Sequence, residues 1–175
     1  INEEHQARFS FSKTYTYPQF KEVAEFVYEG VNYQDKGNSS LQPSDNYNLD
    51  IKYEYFPEEG GLISGTIFGK LIQNSINRIE LNSAADNFYS YDNTGDATVY
   101  GVELEFKKEI YSFGDADEFD ANNIKFGANV TYMITEQEFN TTPQFKPTNE
   151  TSQLEGAAPL IINADLSYKL KKDDK

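Results

Sequence analysis

The sequence lacks cysteine and tryptophan, and His5 is its single histidine. Without cysteine, a disulfide framework and a thiolate metal site are excluded. His5 stands near one end with no serine or cysteine nucleophile in a suitable context, which makes a catalytic triad implausible. No metal-ligand cluster or phosphate-binding loop appears elsewhere. The sequence therefore predicts a protein that is not an enzyme and that carries no cofactor.

Long apolar runs and positive charge are scarce as well. A membrane-spanning helix needs about 20 consecutive apolar residues, and no stretch approaches that length. Barrel strands differ, because each crosses a bilayer with about 9–11 residues of alternating polarity. The formal net charge is -14. Since phosphates require Lys and Arg, this charge argues against nucleic acid as a partner.

Aromatic residues are plentiful, with 13 Tyr and 13 Phe. In residues 100–107, the apolar Tyr, Val, Leu and Phe alternate with Gly, Glu, Glu and Lys. A period of two indicates a strand with one apolar and one polar face. Helical periodicity is limited to a short turn around residues 20–25. Six segments share the alternation and predict an all-β fold: residues 7–17, 48–56, 62–71, 99–106, 124–134 and 160–170.

The connections between these segments alternate in length. The turn PEEGG at 57–61 joins the second and third segments, and about a dozen residues join the fourth and fifth. The other three connections have about 20–30 residues each, longer than ordinary hairpin loops. In an up-and-down meander, all three long connections emerge at the same end. This arrangement is typical of an outer-membrane β-barrel.

Aromatic residues on the apolar face are sorted toward both strand ends, as in the two girdles of a membrane barrel. Toward the short turns lie Phe9, Phe11, Tyr53, Tyr55, Phe106, Phe126 and Tyr168. Toward the long connections lie Tyr15, Tyr17, Tyr47, Tyr100 and Tyr132. Lys13 is the exception in mid-strand. Either a bulge near Ser12 turns it inward or the pairing register differs there.

Three groups of polar or aromatic residues are candidate sites. Residues 115–123 loosely resemble a calcium loop, but the missing glycine and glutamate favour a solvated acidic turn. Glu103 and Glu105 have no partner for acid–base chemistry, and basic residues face them, so they are predicted to keep a wet interior polar. Aromatic rings in the long connections suit sugars, cationic groups or the packing of loops on each other. These candidate ligand contacts are Phe26, Tyr28, Tyr33, Phe88, Tyr89 and Tyr91.

Four segments resemble successive stretches of the C-terminal barrel of TonB-dependent outer-membrane receptors. They are RFSFSKTYTYPQFKEVAEF, GNSSLQPSDNYNLDIKYEYFP, YDNTGDATVYGVELEFKKEI and QLEGAAPLIINADLSYKL. The most specific piece is N-x-G-x-A-x-x-Y-G-V-E-L-E at residues 93–105. The resemblance covers nearly the whole chain. It implies a barrel of about 22 strands with a plugged lumen, which imports an iron chelate, cobalamin or a glycan.

The resemblance sets further expectations. Six strands do not close such a barrel, and lipid does not tolerate bare sheet edges. Residues 1–175 are therefore interpreted as a fragment of the barrel domain, without the plug domain and the remaining strands. The expected partners are membrane lipid, TonB through the absent plug region, and a surface lipoprotein or other envelope-complex subunits. The expected location is the Gram-negative outer membrane, with the long loops extracellular.

Two alternatives stay open from the sequence. A receptor-like barrel is also suited to a structural role as a subunit of an envelope complex. A soluble extracellular β-sandwich adhesin also has strands with one apolar and one polar face. The structural subunit differs from the receptor in what the barrel does. The β-sandwich differs in what covers the apolar face, which is a second sheet instead of lipid.

Overall fold

The computed structural model describes residues 4–57, 60–81, 87–113, 122–143 and 145–169. Its elements are β1 (His5–Thr16), α1 (Phe20–Val23), β2 (Val27–Glu29), β3 (Tyr33–Lys36), β4 (Ser44–Tyr55), β5 (Leu62–Leu81), β6 (Asn87–Phe113), β7 (Asn122–Glu138), β8 (Thr151–Ser152) and β9 (Leu160–Lys169). No helix in these ranges is long and apolar enough to cross a membrane.

Six long strands form one antiparallel meander in the order β1, β4, β5, β6, β7 and β9. The short strands attach to it: β2 pairs with β3, β3 pairs in parallel with β6, and β8 pairs with β7. Among the described residues, β1 and β9 do not pair with each other, so the sheet stays open. The predicted all-β, up-and-down partial barrel is confirmed.

The apolar face of this sheet has no cover in the described part of the chain. One row of residues paired in register runs across it from strand to strand: Phe9, Ile51, Ile67, Val102, Tyr132 and Leu160. Every member of the row is exposed, and Leu104 on the same face is 64% exposed. A β-sandwich would bury such a row against a second sheet, whereas the described strands form a single sheet. The β-sandwich interpretation is therefore wrong.

Two strands are much longer than the sequence predicted. β5 has 20 residues and β6 has 27, whereas about 9–11 residues are enough to cross a bilayer. The prediction that residues 72–98 form a loop is wrong, because the two strands continue as a paired hairpin outside residues 82–86. Polar residues interrupt the alternation there. The sequence pattern therefore did not show the pairing.

Two β-bulges lie where this hairpin leaves the barrel wall. The register between β5 and β6 shifts on both sides of Ser75. Asn74 adopts a φ of 60° and Gly95 a φ of 146°, and Asn and Gly are the residues that tolerate positive φ most readily. A Cβ atom on Gly95 would lie 2.5 Å from the carbonyl oxygen of Glu138. Bulges increase the local twist and bend a strand, so the hairpin is irregular at this point.

The first long connection, residues 17–43, is folded rather than irregular. The short turn predicted at 20–25 is the single-turn helix α1, where the Gln19 backbone N–H donates to the Glu22 carboxylate at 2.8 Å. The connection packs against the long hairpin through β3. Four apolar side chains of the described residues are buried: Leu41 of the connection, and Ile79, Tyr91 and Ala97 of the hairpin.

Lys13 stays on the outward face, so both explanations offered from the sequence are wrong. β1 pairs with β4 without a register shift, and Lys13 lies opposite Tyr47. Its ammonium pairs with Asp45 at 3.3 Å and lies 5.0 Å and 5.1 Å from the ring centroids of Tyr47 and Tyr15. Both rings belong to the predicted girdle, where a lysine stem lies along apolar surface and its charge reaches the polar interface.

Candidate functional site

The polar face of the sheet carries a ladder of ion pairs. Arg8 pairs with Glu54 at 3.1 Å, and Lys52 pairs with both Glu54 and Glu105 at 3.3 Å. Lys107 then pairs with Glu105 at 2.6 Å. The alternating charges reach from β1 across β4 to β6. Each carboxylate thus has two cationic neighbours, and cations and carboxylates alternate along the ladder.

Glu105 makes the contacts expected from the sequence, and Glu103 does not. The Ser64 hydroxyl also donates to Glu105 at 3.3 Å. Glu103 makes no ion pair with any described residue, and Lys125 pairs with Glu109 at 3.9 Å instead. A general acid–base pair requires two groups within reach of one substrate. The Glu105 carboxylate is already occupied by structural partners, so this face supports a polar wall rather than catalysis.

A second polar cluster lies on the long hairpin and the first connection. Asp35 is only 3% exposed, and its carboxylate accepts a hydrogen bond from Nε of Arg78 at 2.8 Å. Nζ of Lys21 lies 3.4 Å from the other carboxylate oxygen. A buried carboxylate requires such compensation, because an unpaired charge away from water is costly. Asp35 therefore joins α1, β3 and β5.

Aromatic rings surround these charges. The guanidinium carbon of Arg78 lies 3.8 Å from the Tyr89 ring centroid and 5.1 Å from that of Tyr33. Lys21 lies 5.6 Å from the Tyr28 ring centroid. These distances are those of cation–π interactions. We call Lys21, Asp35 and Arg78, with the rings of Tyr28, Tyr33 and Tyr89, the Asp35 cluster.

Both cations of the Asp35 cluster have raised pKa values. A hydrogen bond to the Tyr91 hydroxyl and then the Asp35 carboxylate raise the pKa of Lys21. Burial lowers the pKa of Arg78, but the hydrogen bond and charge of Asp35 outweigh that effect and raise it overall. Both side chains are therefore positively charged at any physiological pH.

The structure brings together four of the six aromatic candidates at Lys21 and Arg78. Tyr28, Tyr33 and Tyr89 belong to the Asp35 cluster, and they lie on strands β2, β3 and β6 rather than in irregular loops as predicted. Phe26 instead contacts Phe20, with ring centroids 6.3 Å apart. The other two candidates also lie on β6: Phe88 is half-buried, and buried Tyr91 contacts Lys21 of the cluster through its hydroxyl.

The sequence did not single out Arg78 and Lys21 as members of this cluster. Their partner Asp35 is 43 residues from Arg78 in sequence, so no local spacing connects them. One signal was present, because Arg78 is one of only two arginines in the chain. Arginine is the residue best suited to a buried carboxylate and an aromatic face together.

Asn93 is the first residue of the motif at 93–105, and its side chain links the first connection to the long hairpin. Its side-chain amide donates to the backbone carbonyls of Gln42 and Asn74 at 3.0 Å and 2.9 Å. Its side-chain oxygen accepts from the Gln42 backbone N–H at 2.9 Å. The start of this sequence motif therefore has a structural role: one side chain satisfies three backbone groups on two segments.

The structure offers no evidence for a metal centre in the part of the chain that it describes. No group of three or more His, Asp or Glu side chains there is arranged to hold a metal ion. The calcium-loop candidate at 115–123 falls largely on residues 114–121, which lie outside the described ranges. That interpretation, and the preferred one of a solvated acidic turn, both stay predictions.

An open antiparallel meander with an exposed apolar outer face and an ion-paired inner face defines a segment of the wall of a membrane β-barrel. The family model "TonB dependent receptor-like, beta-barrel" matches residues 1–174. The chain therefore belongs to the TonB-dependent receptor barrel family, a family of Gram-negative outer-membrane receptors. No curated protein sequence matches the chain.

Solved structures agree on the fold. The crystal structure of the siderophore receptor PirA from Pseudomonas aeruginosa is similar to this chain with a TM-score of 0.56 and 17% sequence identity. The match covers 78% of this chain and 23% of that receptor. The chain thus spans about a quarter of that receptor's length. At this identity the likeness shows a shared barrel architecture.

Proposed function

We propose that this chain is part of the barrel wall of a receptor that imports a scarce nutrient, such as an iron chelate, cobalamin or a glycan, across the outer membrane. Residues 1–175 are a fragment of the barrel domain, and the plug domain and the other strands belong to the rest of the receptor. TonB acts through that plug region. The barrel wall itself performs no chemical step, so the receptor is not an enzyme.

One observation carries this proposal: the two faces of the same strands suit two different solvents. Val102 and Leu104 on β6 are exposed on the apolar face. Glu105, the next residue on the same strand, is ion-paired on the polar face. Apolar side chains outside and polar side chains inside are the pattern of a barrel in lipid with a wet lumen. Six such strands supply part of that wall.

The long connections supply the capture surface in this proposal. They all follow strands that run in the same direction, since neighbours in the meander are antiparallel. Loops on a rigid scaffold are where binding residues concentrate. We place this end outside the cell, with the Asp35 cluster among the residues available to a ligand. A surface lipoprotein that covers this end is a compatible partner.

Fractionation of the native protein that carries this segment tests the membrane location. We expect the receptor to stay in the outer-membrane pellet after an alkaline carbonate wash and to be extracted only by detergent. An inner-membrane lipoprotein and a periplasmic protein serve as controls for the fractionation. Release into the carbonate supernatant would contradict the proposal, because a lipid-facing row does not leave the bilayer without detergent.

Import is tested separately from location. Cells with and without the receptor are compared for uptake of labelled iron chelates, cobalamin and oligosaccharides, each in the presence and absence of TonB. We expect uptake of one of these classes to require both the receptor and TonB. Normal membrane location without any receptor-dependent uptake would favour the structural role in an envelope complex.

A further inference from the structure

The Asp35 cluster contains more positive charge than its own carboxylate neutralises. Lys21 and Arg78 both pair with Asp35, the buried acid between them. Glu80 lies opposite Tyr89 on the neighbouring strand and makes no ion pair with either cation. In a chain with a formal net charge of -14, two cations that converge on one carboxylate form a local positive site.

Arg78 is held in place with part of its guanidinium unused. Asp35 fixes its Nε at 2.8 Å, and the Tyr89 ring lies against its face at 3.8 Å. A guanidinium has five N–H donors in a rigid fork. Among the described residues, Nε alone has a hydrogen-bond partner, and the side chain is 41% exposed. The remaining donors match the two oxygens of a carboxylate or phosphate group.

Lys21 adds a second donor beside this fork. Its side chain is 52% exposed and pairs with the same carboxylate at 3.4 Å. The rings of Tyr28 and Tyr33 are also exposed, which places apolar surface around the two charges. Apolar surface next to a charge lowers the local dielectric constant and strengthens an ionic contact. An anion that meets Arg78 therefore has a second cation and aromatic walls within the same cluster.

We propose that Lys21 and Arg78 form a binding site for an oxyanion, a carboxylate or phosphate group, with Asp35 as the positioning residue for both cations. The group belongs either to a soluble ligand or to a lipid headgroup at the outer surface. The soluble form of this proposal rests on the import function proposed above. The lipid form stands without it, because it requires only that the barrel lies in a membrane.

Calorimetric titration of the purified full-length receptor in detergent tests the soluble source. Citrate and inorganic phosphate are the probes, and the uncharged trimethyl ester of citrate is the ligand control. We expect Lys21→Gln to weaken binding about fivefold, as for an exposed ion pair. Arg78→Lys keeps the charge but loses the planar fork, so we expect a loss of about tenfold.

Lys36→Gln is the matched control variant. Lys36 is exposed and follows Asp35 on β3 but belongs to no ion pair with it, so its replacement is expected to leave binding unchanged. Lys21→Gln leaves the buried contact between Arg78 and Asp35 in place. Its effect on binding is therefore separable from a failure to fold. Folding is checked independently by the different migration of unheated and heated samples in detergent gels.

Nanodiscs test the lipid source. Wild-type receptor is compared in discs of phosphatidylcholine alone and in discs that also contain phosphatidylglycerol. A higher Tm in the anionic discs that Lys21→Gln abolishes and Lys36→Gln preserves supports a headgroup site. The proposal is overturned if neither the soluble probes nor the anionic lipid affect the wild type. It is also overturned if the wild type, Lys21→Gln and Lys36→Gln respond equally to them. If the wild-type receptor binds an oxyanion but supports no uptake in cells, only the proposed import function is contradicted.

Discussion

At the scale of single residues, the cations of this chain are used where a carboxylate or an aromatic face requires them. Asp35 is buried because Arg78 and Lys21 satisfy both of its oxygens. Glu54, another buried acid, lies between Arg8 and Lys52. Replacing one partner of such a group leaves the other charge uncompensated, and that penalty exceeds the net value of the pair.

Asn93→Ala tests the clamp between the first connection and the long hairpin. The substitution leaves the Gln42 N–H and two backbone carbonyls without their partner, and each lost hydrogen bond is worth about 0.5–1.5 kcal/mol. We expect faster amide hydrogen exchange across residues 38–43 with little change in the barrel strands. Asn32→Ala, at an exposed hairpin position, is the control. Equal exchange in both variants would show that Asn93 is not a clamp.

The raised pKa of Lys21 sets a pH limit for the same packing. A lysine whose folded pKa exceeds its ordinary value of 10.5 stabilises the fold fully below that pH and loses the effect as pH rises through the folded value. We expect the first connection to stay resistant to a non-specific protease from neutral pH to about pH 10 and to loosen above it. In Lys21→Gln, this added sensitivity at high pH should be smaller.

At the scale of elements, strand faces and bulges decide where lipid and water meet the chain. β5 and β6 pair in one constant register along the barrel wall. The register shifts at two bulges around Ser75, and the original register returns beyond them. Because each strand rises about 3.3 Å per residue, strands of 20 and 27 residues extend far beyond a hydrocarbon core about 30 Å thick. The bulges thus lie between a part of the strands that is long enough to cross the membrane and a part that extends beyond it.

Val102→Lys tests which solvent meets the apolar face. A lysine near the bilayer midplane costs about 2–4 kcal/mol, so we expect a matching loss in the free energy of unfolding in lipid vesicles. Thr131→Lys is the control, because Thr131 lies opposite Glu103 on the polar face and should change stability by less than about 0.5 kcal/mol. Equal effects at the two positions would contradict the assignment of faces.

Gly95→Ala tests the bulge. The new Cβ atom meets the Glu138 carbonyl oxygen in a strained backbone conformation, and such strain costs about 1–3 kcal/mol. We expect that loss in chemical unfolding of the receptor. A Cβ atom on Gly69 meets nothing within 4 Å, so Gly69→Ala is expected to be neutral or slightly stabilising. If Gly95→Ala were also neutral, the close approach of β7 would not constrain the bulge.

At the scale of the whole molecule, the open sheet explains why these residues need a larger structure. Both edge strands, β1 and β9, have one unpaired side among the described residues, and buried backbone groups without hydrogen bonds are costly in lipid. No other element of the described ranges covers the apolar face. Further strands would pair with the two edges, and a bilayer would cover the apolar face. This agrees with a match to about a quarter of a known receptor.

The isolated 175-residue chain is therefore expected not to form a soluble monomer. Exposed sheet edges and a continuous apolar face favour association. We expect the expressed chain to be insoluble in buffer, with light scattering of any refolded material showing large aggregates. A monodisperse monomer with native β-sheet content in detergent-free buffer would contradict the barrel-wall interpretation of the outer face.

The sequence by itself determined the six long strands of the meander, though not their full lengths, and also their faces and the family. Alternation is a local property, so residues 100–107 show it without knowledge of their neighbours. The ion pairs of Glu105 also follow, because Lys107 is two residues away on the same strand and Lys52 lies on the same polar face. The Asn93–Glu105 motif carried the resemblance to the receptor family, which the match over residues 1–174 confirms.

Only the tertiary structure decided the long hairpin, the place of Lys13 and the Asp35 cluster. Pairing beyond residue 71 depends on bulges, which shift the register and break the alternation that sequence analysis detects. Lys13 is tolerated because Asp45 on the neighbouring strand balances its charge. The Asp35 cluster joins α1, β3 and β5 across a folded connection. Contacts between residues so distant in sequence depend on chain topology, and no local pattern specifies that topology.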